Sequence, residues 1–211
     1  MIELKDICFA YDSKPILSHF NLNIDKGECV VIKGDNGCGK STLLNIINAL
    51  SFPEIGSYTL NGKAIDEKAM KNDSFAKEFH QQIGYVFQNT DIQLFCSRVY
   101  DEIAFGPRQM GLSADEIRKR CDDLIKLLDI EELRERAPYH LSMGEKKKVA
   151  IAAVLAVNPE ILILDEPMNF LDKSSREWIK SFLFSLKGIK TIIIVSHTDD
   201  FDENAHRIIN M

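Results

Sequence analysis

Nine residues, Gly34 to Thr42, read GDNGCGKST and hold the densest chemistry in this chain. They satisfy G-x-x-x-x-G-K-[ST], in which the glycines let successive backbone N–H groups turn inward around phosphate oxygens and the lysine reaches the β- and γ-phosphates. CVVIK precedes the loop, a continuous apolar run of the kind buried on both faces of a parallel sheet. STLLNIINAL follows and reads as a helix whose N-terminus adds partial positive charge. Strand, loop and helix in that order argue against a plain Gly-rich turn with a solvated lysine. Ser41 suits Mg²⁺, and Cys38 sits in the nest, where positive potential favours a reactive thiolate.

A second apolar run, ILILDEP, delivers Asp165 and Glu166 at a strand's carboxyl end, where ligands sit in open α/β sheets. Beside a phosphate loop, Asp165 suits a place next to Mg²⁺, and Glu166 can polarise a water for in-line attack on a γ-phosphate. Taken alone, the two carboxylates could simply be solvated residues at the start of a loop. TIIIVSH repeats the design with His197 just beyond another central strand, and a lone histidine there is as readily structural as catalytic.

These groups need a scaffold, and the pattern of apolar residues supplies one. IELKDI and NLNID alternate as half-buried strands do, and SYTLNGK carries an Asn-Gly turn signal, so a small antiparallel sheet is expected beside the parallel one. SADEIRKRCDDLIKLL reads as a helix capped by Ser113 and Glu116, with Ile117, Cys121, Leu124, Ile125 and Leu128 on one face. Residues 88 to 140 read as mostly helical, an insertion in an α/β body. The expected fold is a P-loop NTPase, RecA-like core with a small antiparallel β subdomain and an inserted helical subdomain. The expected division is 1–88 and 150–211 for the core and 89–149 for the helical part.

Composition narrows the function classes. A chain of 211 residues, 45% of them hydrophobic, is enough for one domain, and a net charge of −6 argues against wrapping nucleic acid. The longest apolar run, Val149 to Val157, falls well short of the ~20 residues that span a bilayer, and no signal-peptide pattern opens the chain. Five cysteines without C-x-x-C pairing indicate neither a disulfide framework nor a zinc site, which fits a cytosolic setting.

LSMGEKKKVA, Leu141 to Ala150, is harder to read, because Ser142 has neither a general base nor a metal-ligand spacing beside it. Ser142 and Glu145 have the S-x-x-E spacing of a capping box, and Lys146 to Lys148 read as a solvated helix face. Yet Gly34 to Thr42, Gln88, LSMGE, ILILDEP, NFLD and VSH stand in the order of the ATP-binding cassette ATPases, which the chain resembles over nearly its whole length. The segments VFQNTDIQLF, DEIAFGP and LSMGEKKKVAIAAVLA look most like the energy-coupling-factor type, which powers uptake of cobalt, nickel or vitamins.

The resemblance implies roles residue by residue. Tyr11 would stack on adenine, and Gly34, Asn36, Gly37, Cys38, Gly39, Lys40, Ser41 and Thr42 would hold the phosphates of ATP. Ser41, Gln88 and Asp165 would surround Mg²⁺. Glu166 would activate the attacking water, with Lys40 and His197 at the γ-phosphate. It also implies a head-to-tail homodimer, or a heterodimer with a second ABC ATPase, in which Ser142 and Gly144 touch the partner's nucleotide. An integral membrane transporter subunit would be the other partner, on the inner face of the cell membrane, docked against DIQLFCSRVYDEIAF; nucleic acid is not expected. Departures are Met143 where a glycine is usual, Glu145 for glutamine, the unusual pair Asn169 and Phe170, and an end soon after His197 where the coupling-factor type usually continues. A cassette ATPase of iron–sulfur assembly, DNA or ribosome work would share every catalytic residue. A small-molecule phosphotransferase would share only the phosphate loop.

Overall fold

A computed structural model describes residues 1–211. Strands β1 (Ile2–Tyr11) and β2 (Lys14–Ile24) open it as an antiparallel hairpin, with Ile2, Leu4, Ile7, Leu22 and Ile24 turned inward. Strand β3 (Cys29–Lys33) then runs into the glycine loop and helix α1 (Lys40–Ile47). Strand β4 (Ile55–Leu60) pairs with β1, then turns through Asn61 and Gly62 into the short β5 (Lys63–Ala64). Both turn residues have positive φ, 51° and 76°, which Asn-Gly accommodates and most pairs do not. The small sheet has the order β2-β1-β4-β5.

Helices α2 (Glu67–Met70) and α3 (Asp73–Gln82), capped by the Asp66 and Asn72 side chains, lead to β6 (Ile83–Val86). With β7 (Ile161–Asp165), β8 (Thr191–Val195) and β9 (Arg207–Asn210), it completes a five-stranded parallel sheet of order β6-β7-β8-β3-β9. The continuous apolar runs serve both faces of this sheet because successive side chains alternate. Ile161 and Ile163 of β7 join the core shared with α1 and the antiparallel sheet, while Leu162 and Leu164 join the core on the other side.

That other side is covered by α4 (Val99–Gln109), α5 (Ala114–Leu127) and α6 (Met143–Leu155), with α7 (Lys173–Ser185) beyond them. The capping box of Ser113 and Glu116 is formed, and the five residues from Ile117 to Leu128 expected on one face are all buried. The expected boundary between residues 149 and 150 falls inside α6. The helix runs on unbroken to Leu155 and packs closely on β6, where Gly84 lacks a side chain: a Cβ there would lie 2.3 Å from Val154 Cγ1. No helix is long and apolar enough to cross a membrane.

Candidate nucleotide site

The cleft forms where β3, β7 and β8 end. A space of about 720 Å³ is lined by the glycine loop, Tyr11, Gln88, Asp165, Glu166 and His197, together with Lys33, which the sequence reading did not single out, and Asn169, noted there only as a departure from the family pattern. Gly37 and Gly39 have φ of 84° and 109°, a backbone that side-chain-bearing residues rarely adopt. Gly39 caps α1 without a side-chain bond, so the helix's first N–H groups remain available to an anion. Lys40 is nearly buried, and its ammonium donates to the carbonyls of Gly34 and Asp35 at 2.7 and 2.9 Å. Tyr11 stands half exposed at the cleft's edge with its ring against Phe9, centroids 4.8 Å apart.

Cys38 differs from expectation. Its thiol does not line the cleft and lies behind the loop, where a Cβ on Gly34 would come within 2.5 Å of Sγ. Its N–H donates to Asp35 O at 3.2 Å and so closes the turn. The loop's tight curvature turns the thiol away from the cleft but leaves it 3.9 Å from the Lys40 ammonium, a cationic neighbour of the kind expected from its position.

Asp165 and Glu166 leave β7 in different environments. Burial raises the Asp165 carboxyl above the usual range; the hydrogen bond that Tyr85 O–H donates to Oδ2 at 3.0 Å opposes this, and the Glu166 charge adds to it. Burial also pushes the Tyr85 phenol up, with the Asp165 charge adding. Glu166 has φ of 44°, and its N–H donates to Val195 O at 2.9 Å. Its buried carboxylate lies 2.7 Å from His197 Nδ1 and accepts a longer bond from the His197 N–H at 3.4 Å. The ends of β7 and β8 thus hold a carboxylate and an imidazole in contact at the cleft wall.

The three lysines after Glu145 are not a solvated face. Lys147 has no solvent exposure, and its ammonium donates to the carbonyls of Phe87 and Gln88, both at 3.1 Å. Burial drives it down to about 8, against the attraction of Asp165. Lys146 pairs with Asp91 at 2.6 Å and Lys148 lies over the Trp178 ring at 4.4 Å. A signal was present: Lys147 is three and four residues before Ala150 and Ile151, which places it on the helix's buried stripe.

Ser142 caps α6. Its Oγ accepts from the Glu145 N–H at 3.4 Å, while the Glu145 carboxylate accepts from Ser142 N–H and O–H, both at 2.7 Å. The capping box and the exposure of Ser142 hold together, and neither Ser142 nor Gly144 lines the cleft of its own chain. Met143 packs against the core instead of facing outward. Gly144 has an internal reason to be glycine, since a Cβ there would lie 2.3 Å from Ser175 Oγ at the start of α7.

Residues 17–169 match the family model described as ABC transporter. The chain belongs to that family. Among its relatives, the nickel import ATP-binding protein LarO of Lactiplantibacillus plantarum is 44% identical over 198 residues, 93% of this chain and 82% of that protein. The energy-coupling factor transporter ATP-binding protein EcfA of Methanococcus maripaludis is 42% identical over 205 residues, 95% and 71% of the two chains. Among solved structures, cbiO1 of Clostridium perfringens, part of the ABC transporter complex cbiONQ, has a TM-score of 0.90 at 37% identity, covering all of this chain and 84% of that one. A dimeric ATP-binding cassette in a post-hydrolysis state with ADP and Pi has a TM-score of 0.86 at 31% identity, covering all of this chain and 94% of that one. This ABC ATPase is therefore an ATP-binding, ATP-hydrolysing subunit of a membrane transporter, of the fold expected.

Proposed function

We propose that this ABC ATPase is the motor of an energy-coupling-factor importer, in which two cassettes close on two MgATP and transmit that closure to an integral membrane subunit. One observation carries the reading: Lys40, Ser41, Gln88, Asp165 and the Glu166–His197 pair share one cleft, while Ser142 stands exposed outside it. The name of LarO, a nickel import protein, supports a small nutrient, a transition-metal ion foremost, as the cargo. The site would then lie on the inner face of the cell membrane.

Tyr11 would take the adenine, and the amides of Gly34, Asn36, Gly37, Gly39, Lys40, Ser41 and Thr42 the phosphates; Cys38 contributes backbone only. The Ser41 hydroxyl, the Asp165 carboxylate and the Gln88 amide oxygen form a small set of hard donors on one cleft, which fits Mg²⁺ with its remaining positions filled by water and phosphate. When bound, Mg²⁺ neutralises charge on the transferring phosphoryl group. Tyr85 orients Asp165 toward this duty. Glu166 accepts a proton from the attacking water, and His197, touching it, holds the carboxylate in place and faces the γ-phosphate. Residues 1–88 and 150–211 would act as the core and 89–149 as the arm that meets the membrane subunit, with α6 bridging them.

Phe95 and Phe105 mark the contact: both are exposed, with rings 4.9 Å apart. The buried Glu102 holds the loop between them by accepting from the N–H groups of Phe95 and Cys96. To test the reading, the tagged chain is captured from detergent-solubilised membranes of its own cells and MgATP turnover is measured. An integral membrane protein should be recovered, and Lys40→Ala should abolish turnover. Recovery of iron–sulfur scaffold, DNA-bound or ribosomal proteins without any membrane protein would overturn the importer assignment.

A further inference from the structure

The ammonium of Lys147 is the most demanding group in this protein. It is fully buried on α6, and its observed partners are the backbone carbonyls of Phe87 and Gln88 rather than a carboxylate. A charged amine removed from water is expensive unless its hydrogen bonds are well placed, so those carbonyls are held where Lys147 needs them. Two neighbouring contacts make the fastening broader. Lys146, one residue earlier on α6, pairs with Asp91. Within the loop, Gln93 accepts from the Phe87 N–H at 3.0 Å and donates to Tyr85 O at 3.2 Å, which stiffens residues 85–93 as a unit. The other end of α6 starts at Ser142, five residues away, roughly 7.5 Å along the axis at the rise of an α-helix.

We infer that Lys147 is a positioning residue that makes Gln88 move with α6, so that what engages the exposed Ser142 end of the helix sets where Gln88 stands in the chain's own cleft. The inference rests on the reading of Gln88 as part of the ATP site. Its physical content is that two backbone carbonyls tied to one helix cannot shift relative to that helix without stranding a buried charge. Gln88 therefore has few positions independent of α6. Lys147 touches neither nucleotide nor the reacting atoms in this scheme and acts through the 87–88 backbone; an effect exerted instead through its attraction to Asp165 would give losses additive with those of Gln88→Ala.

A mutant cycle on the full-length chain tests this. Lys147→Met keeps the length and apolar stem but removes every donor, Lys147→Gln restores a neutral donor, and Gln88→Ala removes the side chain acted upon. Turnover, KM, the Mg²⁺ concentration for half-activation and binding of a fluorescent ATP analogue in EDTA are measured for each. For Lys147→Met, kcat should fall about ten- to a hundredfold, with a higher Mg²⁺ requirement and metal-free nucleotide binding within about twofold of wild type, as expected when a group is displaced but not removed. Lys147→Gln should recover part of that loss. The decisive expectation is non-additivity: Lys147→Met with Gln88→Ala should be no slower than Gln88→Ala alone. Additive losses, an unchanged kcat in Lys147→Met, or lost metal-free binding would overturn the inference and leave Lys147 as a packing residue. If Lys147→Met does not fold, the same cycle is run with Lys147→Gln, and the same additivity criterion decides. Wild-type protein without MgATP turnover would instead refute the reading of the site beneath it.

Discussion

Glu166 is a buried carboxylate with one close partner, the imidazole of His197, and a backbone held at positive φ. That conformation is uncommon for a residue with a side chain, and here the Val195 carbonyl and the His197 contacts stabilise it from the neighbouring strand. Removing the charge while keeping the shape separates binding from chemistry. Glu166→Gln leaves Lys40, the loop amides and the Asp165 side in place, so nucleotide binding should persist. Turnover should drop about 10²–10⁴-fold, the scale of a lost general base. Phosphate release at saturating MgATP, paired with analogue binding, checks both halves. Near-normal release would move the proton-accepting role to His197.

Among the elements, α6 joins the most functions. Its start presents Ser142, its middle buries Lys147 beside Gln88, and its end packs on β6 and the central sheet. The last contact exists only because Gly84 has no side chain. An added methyl would meet Val154 Cγ1 at 2.3 Å and Pro159 Cγ at 2.8 Å, and neither can retreat within a packed layer. Gly84→Ala should therefore cost about 1–3 kcal/mol, the range for overpacking. Val154→Ala in the same chain should return part of this by removing the first clash. Urea unfolding midpoints of the single and double variants measure it; equal midpoints for Gly84→Ala and wild type would show that β6 and α6 are less tightly seated than described.

At the scale of the whole molecule, Ser142 raises the main question, since it is exposed and outside its own cleft. In a two-fold pair, each site would combine Lys40 of one chain with Ser142 of the other. Lys40→Ala and Ser142→Ala should then each inactivate both sites of their own homodimers. In a mixed dimer one site carries both lesions and the other carries none. Random pairing should therefore restore roughly a quarter of wild-type turnover if sites act independently. Light scattering with ATP must first show that wild type and Glu166→Gln dimerise under the assay conditions. Dimerisation without recovery in the mixture would count against a role for Ser142 in the partner's site and leave it as the helix cap it already is.

The glycine loop, the two carboxylates after ILILD and the histidine after TIIIV were legible because each is a local pattern: a strand period, a loop and a helix start within a few residues. The antiparallel sheet and its Asn-Gly turn were legible for the same reason, and so was the family, from motif order. What the sequence left open depended on which face each side chain turned to once the layers packed. Cys38 looked like part of the nest until the loop's curvature put its thiol behind the backbone. Lys147 looked solvated until α6 was laid against the segment of Gln88, and Tyr85 became a partner of Asp165 only when β6 was paired beside β7. Gly144 looked like a phosphate contact alone until α7 arrived within reach of its missing side chain. Local pattern specifies strands, turns and helix starts because their interactions close over a few residues; burial of a lysine or orientation of a carboxylate is decided by neighbours 60 or 80 positions away, which only the folded chain brings into contact.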